Sequence, residues 1–97
     1  MAAVSAIQIA NPTLSTTTVD TVTLSGRAET GVRIGNRSGT AYLFVTVGTT
    51  TPADPVAGAA ENFCIPAGLW RDIPFGPITG MIVKVLGNGN DYTVELF

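Results

Sequence analysis

Residues 31–48, GVRIGNRSGTAYLFVTVG, set two apolar stretches on either side of a polar corner. Val32 and Ile34 flank Arg33, the corner is Asn36-Arg37-Ser38-Gly39, and a β-branched and aromatic run follows from Ala41 to Val47. Alternation with a period of two, bounded by Asn, Ser and Gly, is the pattern of strand, turn, strand. The rest of the chain repeats it. Strands are expected over residues 4–9, 19–24, 32–36, 41–47, 62–65, 69–73, 81–86 and 92–96. The most helix-friendly stretch, VAGAAEN at 56–62, is short, holds a glycine and follows two prolines, so it reads as loop. The expected fold is all-β: a single β-sandwich, jelly-roll or Ig-like, of seven or eight short, mostly antiparallel strands. Residues 1–18 are expected as an N-terminal arm or edge strand and 19–97 as the β-sandwich domain.

Turn chemistry separates these strands. Ser25-Gly26 reads as a strand end and Gly76-Pro77 as a break after Phe75. Pro66-Ala67-Gly68 reads as a tight turn, and Gly87-Asn88-Gly89-Asn90 as the strongest hairpin signal. Alternation also assigns faces. Tyr42, Phe44 and Thr46 oppose Leu43, Val45 and Val47. Met81, Val83 and Val85 oppose Ile82, Lys84 and Leu86, while Tyr92, Val94 and Leu96 oppose Thr93, Glu95 and Phe97. In the last two sets one face carries a charge, which marks it as the outer one. The 41–47 run is largely apolar on both sides, so it is expected to be central or covered by a partner.

Ninety-seven residues make one core. Charged residues are 12% of the chain, about half the ~25% of ordinary soluble domains. Thr, Ser, Gly and Asn take their place, leaving a polar surface with few charges to desolvate when another protein covers it. That points to an assembly subunit. A net charge of −2 argues against a nucleic-acid partner, which needs a basic stripe. Arg27, Arg33 and Arg37 cluster in sequence with Glu29 among them and are expected as solvated strand residues. No window reaches the ~20 apolar residues of a membrane helix, so no membrane is expected. MAAVSAIQIANP has no basic stretch before its apolar run, so no secretory signal is expected and the chain should fold in the cytoplasm. Cys64, the sole cysteine, is expected as a buried, inert thiol.

The chain has no histidine, which removes the commonest general base and metal ligand together. Its seven carboxylates are scattered over turns and outer-face positions. No catalytic residue, cofactor site or metal site is expected, and the chain is not expected to be an enzyme. Asn88, Asn90 and Asp91 offer oxygens but fall short of a calcium loop. The candidate contact residues are Trp70, Phe75, Phe97, Arg27 and Arg37, since Trp and Arg are enriched at interface hot spots. Trp70 has a second reading, favoured here, as the core anchor of the sandwich. Phe97, an aromatic on a strand end, is expected to need a neighbouring subunit to hold it.

One order of motifs carries a resemblance. A strand ending IGNRSGT leads into an aromatic–aliphatic strand ending VTVGTT. An apolar segment closing on Pro66-Ala67-Gly68 follows, then Trp70 and Ile73, a Gly-rich stretch, and YTVELF. Over residues 30–97 this resembles the small β-sandwich accessory virion proteins of tailed bacteriophages, of the capsid decoration (cement) type. The resemblance implies a homo-oligomer, trimer favoured, bound to the major capsid protein or another virion protein and located in the virion. It also implies that residues 1–18 reach a neighbour. A tail, neck or head-fibre component shares the same composition. A carbohydrate- or ligand-binding sandwich is the other reading, with Tyr42, Trp70 and Tyr92 as its exposed aromatics.

Overall fold

The computed structural model describes residues 9–10, 19–57 and 63–97, the first pair as backbone. Ten strands are present: β1 (Ile9–Ala10), β2 (Val19–Thr23), β3 (Arg27–Ala28), β4 (Gly31–Asn36), β5 (Leu43–Gly48), β6 (Phe63–Ile65), β7 (Trp70–Pro74), β8 (Ile78–Thr79), β9 (Ile82–Leu86) and β10 (Tyr92–Leu96). All pairings are antiparallel, and no helix occurs among the described residues. Sheet A runs β1-β10-β4-β7, sheet C runs β2-β9-β5-β6, and β3 pairs with β8. If the eight strands of the two larger sheets are lettered B to I in chain order, sheet A is B-I-D-G and sheet C is C-H-E-F. That order is the jelly roll, so of the two expected sandwich topologies the Ig-like one is excluded.

β3 and β8 escape the sequence reading because they lie at corners. Residues 19–36 and 70–86 form one long antiparallel ribbon that leaves sheet C, turns through β3·β8 and enters sheet A. Its register holds from Val19↔Leu86 to Leu24, whose N–H bonds Met81 O. It then slips by one residue to Arg27↔Thr79, with Ser25-Gly26 opposite Gly80. A compensating slip on the other strand, residues 75–77 against 29–30, restores it at Gly31↔Pro74. These are β-bulges, which bend a strand by adding one unpaired residue. Gly76 (φ 147°) meets the second corner where a Cβ would press on Ala28 O; Ser25-Gly26 follows the end of β2 and Gly76-Pro77 the end of β7, as expected, and both also bend the ribbon.

The inward residues match the alternation: Val32, Ile34, Leu43, Val45, Ile65, Ile73, Met81, Val83, Val85, Tyr92, Val94 and Leu96 are buried. Across that core the Tyr92 hydroxyl donates to Asp20 Oδ2 on edge strand β2 (3.0 Å). Burial pushes the phenol's pKa well up, and the bond to Asp20 adds to it. Between the opposite edges, Arg71 of β7 lies over the Phe63 ring of β6, 5.0 Å from its centroid.

The segment Gly87-Asn88-Gly89-Asn90 is not a hairpin. β9 and β10 lie in different sheets, and the segment crosses between them. Asn90 is fully buried, and its side chain accepts from Asn88 N–H (2.7 Å) and donates to Asn36 Oδ1 (2.9 Å) and Ala41 O (3.0 Å). Asn36, also fully buried, donates to Ala41 O (2.8 Å) and Ile65 O (3.0 Å) and accepts from Ser38 N–H (3.1 Å). Its own carbonyl takes the Gly68 N–H. Two asparagines therefore lace three crossovers at one end of the sandwich, and no described buried side-chain polar atom lacks a partner.

β1 pairs with β10 as an edge strand of sheet A. The remainder of the expected 1–18 arm, most of the expected strand at 4–9, and Glu61 and Asn62 lie outside the described residues.

Candidate interaction surface

Trp70 is 52% exposed, which overturns its expected place in the core. Its cross-strand partner is Gly35. A Cβ at Gly35 would lie 2.5 Å from each of three consecutive carbons of the six-membered indole ring, so the ring covers Gly35 face-on. A side chain at position 35 would push the ring away. Glycine lets it lie flat on the sheet, with its other face open to solvent.

Two residues along β7, Asp72 faces Arg33. The guanidinium grips the carboxylate through Nε (2.7 Å) and Nη2 (3.1 Å) and reaches Glu95 of β10 through Nη1 (3.1 Å). Hydrogen bonding from Arg33 holds the Asp72 carboxyl below the usual carboxylate range, against a smaller desolvation effect, with ionic attraction adding to the lowering. The same bond raises Arg33. The guanidinium also lies 4.9 Å from the Phe97 ring centroid. Phe97 exchanges two backbone hydrogen bonds with Gly31, so its own domain holds it without a neighbouring subunit. The outer face of sheet A thus carries Trp70 on Gly35, then Arg33 between two carboxylates, then Phe97.

Strand β7 is the edge of this sheet. Asn36 N–H bonds Leu69 O and Phe75 N–H bonds Thr30 O, so Leu69, Arg71, Ile73 and Phe75 point their backbone groups at β4. Trp70, Asp72 and Pro74 point theirs outward, and Pro74 has no N–H to offer. A twofold copy centred on Arg71 would oppose arginines, and one centred on Asp72 would oppose aspartates. Such charges and prolines block edge-to-edge pairing.

On the far side, residues 49–57 strap the outer face of sheet C. Thr46 Oγ1 donates to Ala53 O (2.6 Å), Lys84 pairs with Asp54 (2.7 Å), and Pro55 is buried. The 41–47 run is central, since β5 lies inside its sheet, and its cover is the chain's own strap and not a partner. Between strap and sheet lies an open groove of about 480 Å³ lined by Ala41, Tyr42, Phe44, Ala57, Leu86 and Asn88. Tyr42 (56% exposed) stands at its rim and Val56 (61%) in the strap. Local pattern carries no sign of this groove, because the strap's position depends on contacts between residues 30 apart.

The other candidates scatter. Phe75 packs against the core, Arg27 pairs with Glu29 (3.0 Å), and Arg37 donates to Tyr92 O (3.3 Å). The three arginines form no track. Tyr92 is fully buried and so is no exposed aromatic. Cys64 is half-buried on the outer face of sheet C beside Phe44, not in the core. Among the described residues no three metal-ligating side chains cluster, and no helix is long and apolar enough to cross a membrane.

No family model matches the chain, and neither does any curated protein. Among solved structures, the Anabaena sensory rhodopsin transducer aligns over 86% of this chain and 96% of its own, at 18% identity and a TM-score of 0.43. The Tobacco streak virus coat protein aligns over 94% and 85%, at 15% identity and a TM-score of 0.38. Likenesses at this level say nothing about what the chain does.

Proposed function

We propose that this chain is a non-catalytic structural subunit of a virion, and that its particular task is capsid decoration. The observation that carries this reading is the outer face of sheet C, an apolar groove with Tyr42 and Val56 left exposed beside it. On a chain with 12% charged residues, that face is covered at little cost in desolvated charge. Each large apolar side chain covered on docking contributes roughly 1.5–3 kcal/mol before the cost of association. A decoration subunit uses such burial to tie neighbouring shell proteins together, in many symmetric copies. The jelly roll is compatible with this role, but it also serves lectins and cupins, so the face carries the reading and the fold does not.

The test is co-sedimentation of the purified chain with shells of the major capsid protein of the same virus. Saturable, stoichiometric binding that raises shell thermal stability and is lost in Tyr42→Ser is expected. Recovery of the chain with tails or necks instead of heads would overturn decoration and keep the virion role. Its absence from purified particles would overturn both.

A further inference from the structure

We propose that the outer face of sheet A carries a stacking subsite for a neutral saccharide, with Trp70 as its platform. The indole is seated on Gly35 and cannot sink further, because backbone lies directly beneath it. Its open face is flat, apolar and fixed before any ligand arrives, and preorganisation of this kind limits the entropy lost on binding. Polar partners stand at the right distance. Asp72 lies on the same face two residues on, about 6.6 Å along the strand, roughly the breadth of a pyranose ring. A sugar whose C–H face covers Trp70 therefore brings its edge hydroxyls to the Asp72–Arg33 pair. That pair sets carboxylate acceptors beside guanidinium donors, and three of the five Arg33 N–H groups are engaged by Asp72 and Glu95. Adjacent hydroxyls on a sugar match such an acceptor–donor edge.

Charge selects the occupant. The cluster holds one cation and two carboxylates, and the cation is already clamped by both. An anionic glycan, a phosphate or a nucleic acid would meet an uncompensated negative charge, whereas a neutral polyol meets donors and acceptors without repulsion. Strand addition is blocked by Pro74, Arg71 and Asp72, so the face, not the edge, is what the sheet offers. This face is opposite the one assigned to assembly, so either proposal can fail alone.

Trp70 is the only tryptophan, so intrinsic fluorescence reports on this site directly. The probes are a β-1,4-linked glucose hexasaccharide and a polysulfated oligosaccharide of similar length. A saturable shift of Trp70 emission with the first and none with the second is expected, weakened roughly tenfold in Asp72→Asn. Trp70→Ala, which removes an exposed side chain and spares the core, should fold and lose saturation transfer to the hexasaccharide in NMR. Three results would overturn the proposal: no response to the neutral sugar, an equal response to the sulfated one, or a shift that follows protein concentration without sugar, which would make the face a contact between copies.

Discussion

Replacing Asn36 with leucine, which keeps the side chain's branching and heavy-atom count but none of its polar groups, should remove much of the stability of the domain. The side chain makes four hydrogen bonds in a fully buried site. Without it Ser38 N–H is left without a partner, while Asn90 keeps Ala41 O and Tyr42 O and Ile65 O keeps its place opposite Leu43 in the β5·β6 ladder. At about 1 kcal/mol net for each of the four hydrogen bonds lost, the cost is roughly 3–5 kcal/mol. A domain of this size holds about 5–15 kcal/mol in total. Urea unfolding followed by far-UV circular dichroism is the assay. For slopes of about 1–2 kcal/mol/M the midpoint should fall by roughly 1.5–5 M. Asn36→Asp gives the sharper discrimination. The new carboxyl would face the Ala41 and Ile65 carbonyls without water, which favours its neutral form and raises its folded pKa above the unfolded value of about 3.9. A raised folded pKa means the ionised form is penalised, so destabilisation grows as pH rises from about 4. A leucine variant costing under ~1 kcal/mol, or an aspartate variant whose deficit is the same at pH 4 and pH 7, would refute the view that this network is dry and closes the loop end.

Gly35→Ala should lift the Trp70 ring, costing about 1–2 kcal/mol and altering tryptophan emission; unchanged emission would mean the ring is not seated on the backbone. Asp72 has a folded pKa below its unfolded one, so its contribution is present above the unfolded value and is lost as pH falls through the folded one. The melting-temperature gap between wild type and Asp72→Asn should therefore close on acidification below about pH 4, and a constant gap would count against the Arg33 pairing. Tyr92→Phe removes the hydroxyl that bridges to Asp20 and should cost about 0.5–1.5 kcal/mol by urea unfolding, with no loss indicating that water serves Asp20 equally well.

The inner face of the sandwich was legible because alternation reports directly on burial: Met81, Val83 and Val85 point in, and Lys84 points out. What local pattern does not encode is which strand lies beside which. Ser25-Gly26 and Gly76-Pro77 carry the composition of strand ends and do follow the ends of β2 and β7, but only the opposing strand shows that the ribbon resumes beyond them in β3 and β8. Gly87 to Asn90 has hairpin chemistry, yet the buried partners of Asn90 commit it to a crossover. Trp70 was expected inside because large aromatics usually are. Gly35, alone between Ile34 and Asn36 on a strand, was the available sign that an aromatic could lie flat there. The groove and its strap were not legible, since Lys84 and Asp54 meet only in the folded chain.

The bent ribbon bears on how the molecule is assembled in time. Its first described residues pair with partners more than sixty positions away, Val19 with Leu86, and β10 slots between β1 and β4 in the middle of sheet A. Among the described residues β5·β6 is the one pairing that joins consecutive strands, so little of either sheet is available to a partly formed chain. Such non-local pairing puts folding in the millisecond-to-second range typical of all-β domains. Zipping is expected to begin at β4·β7 and run outward through both corners, with the β5–β6 hairpin carried inside it. Until β10 arrives, β4 keeps an open flank, and a nascent chain holds the apolar strands that precede β10 without that partner.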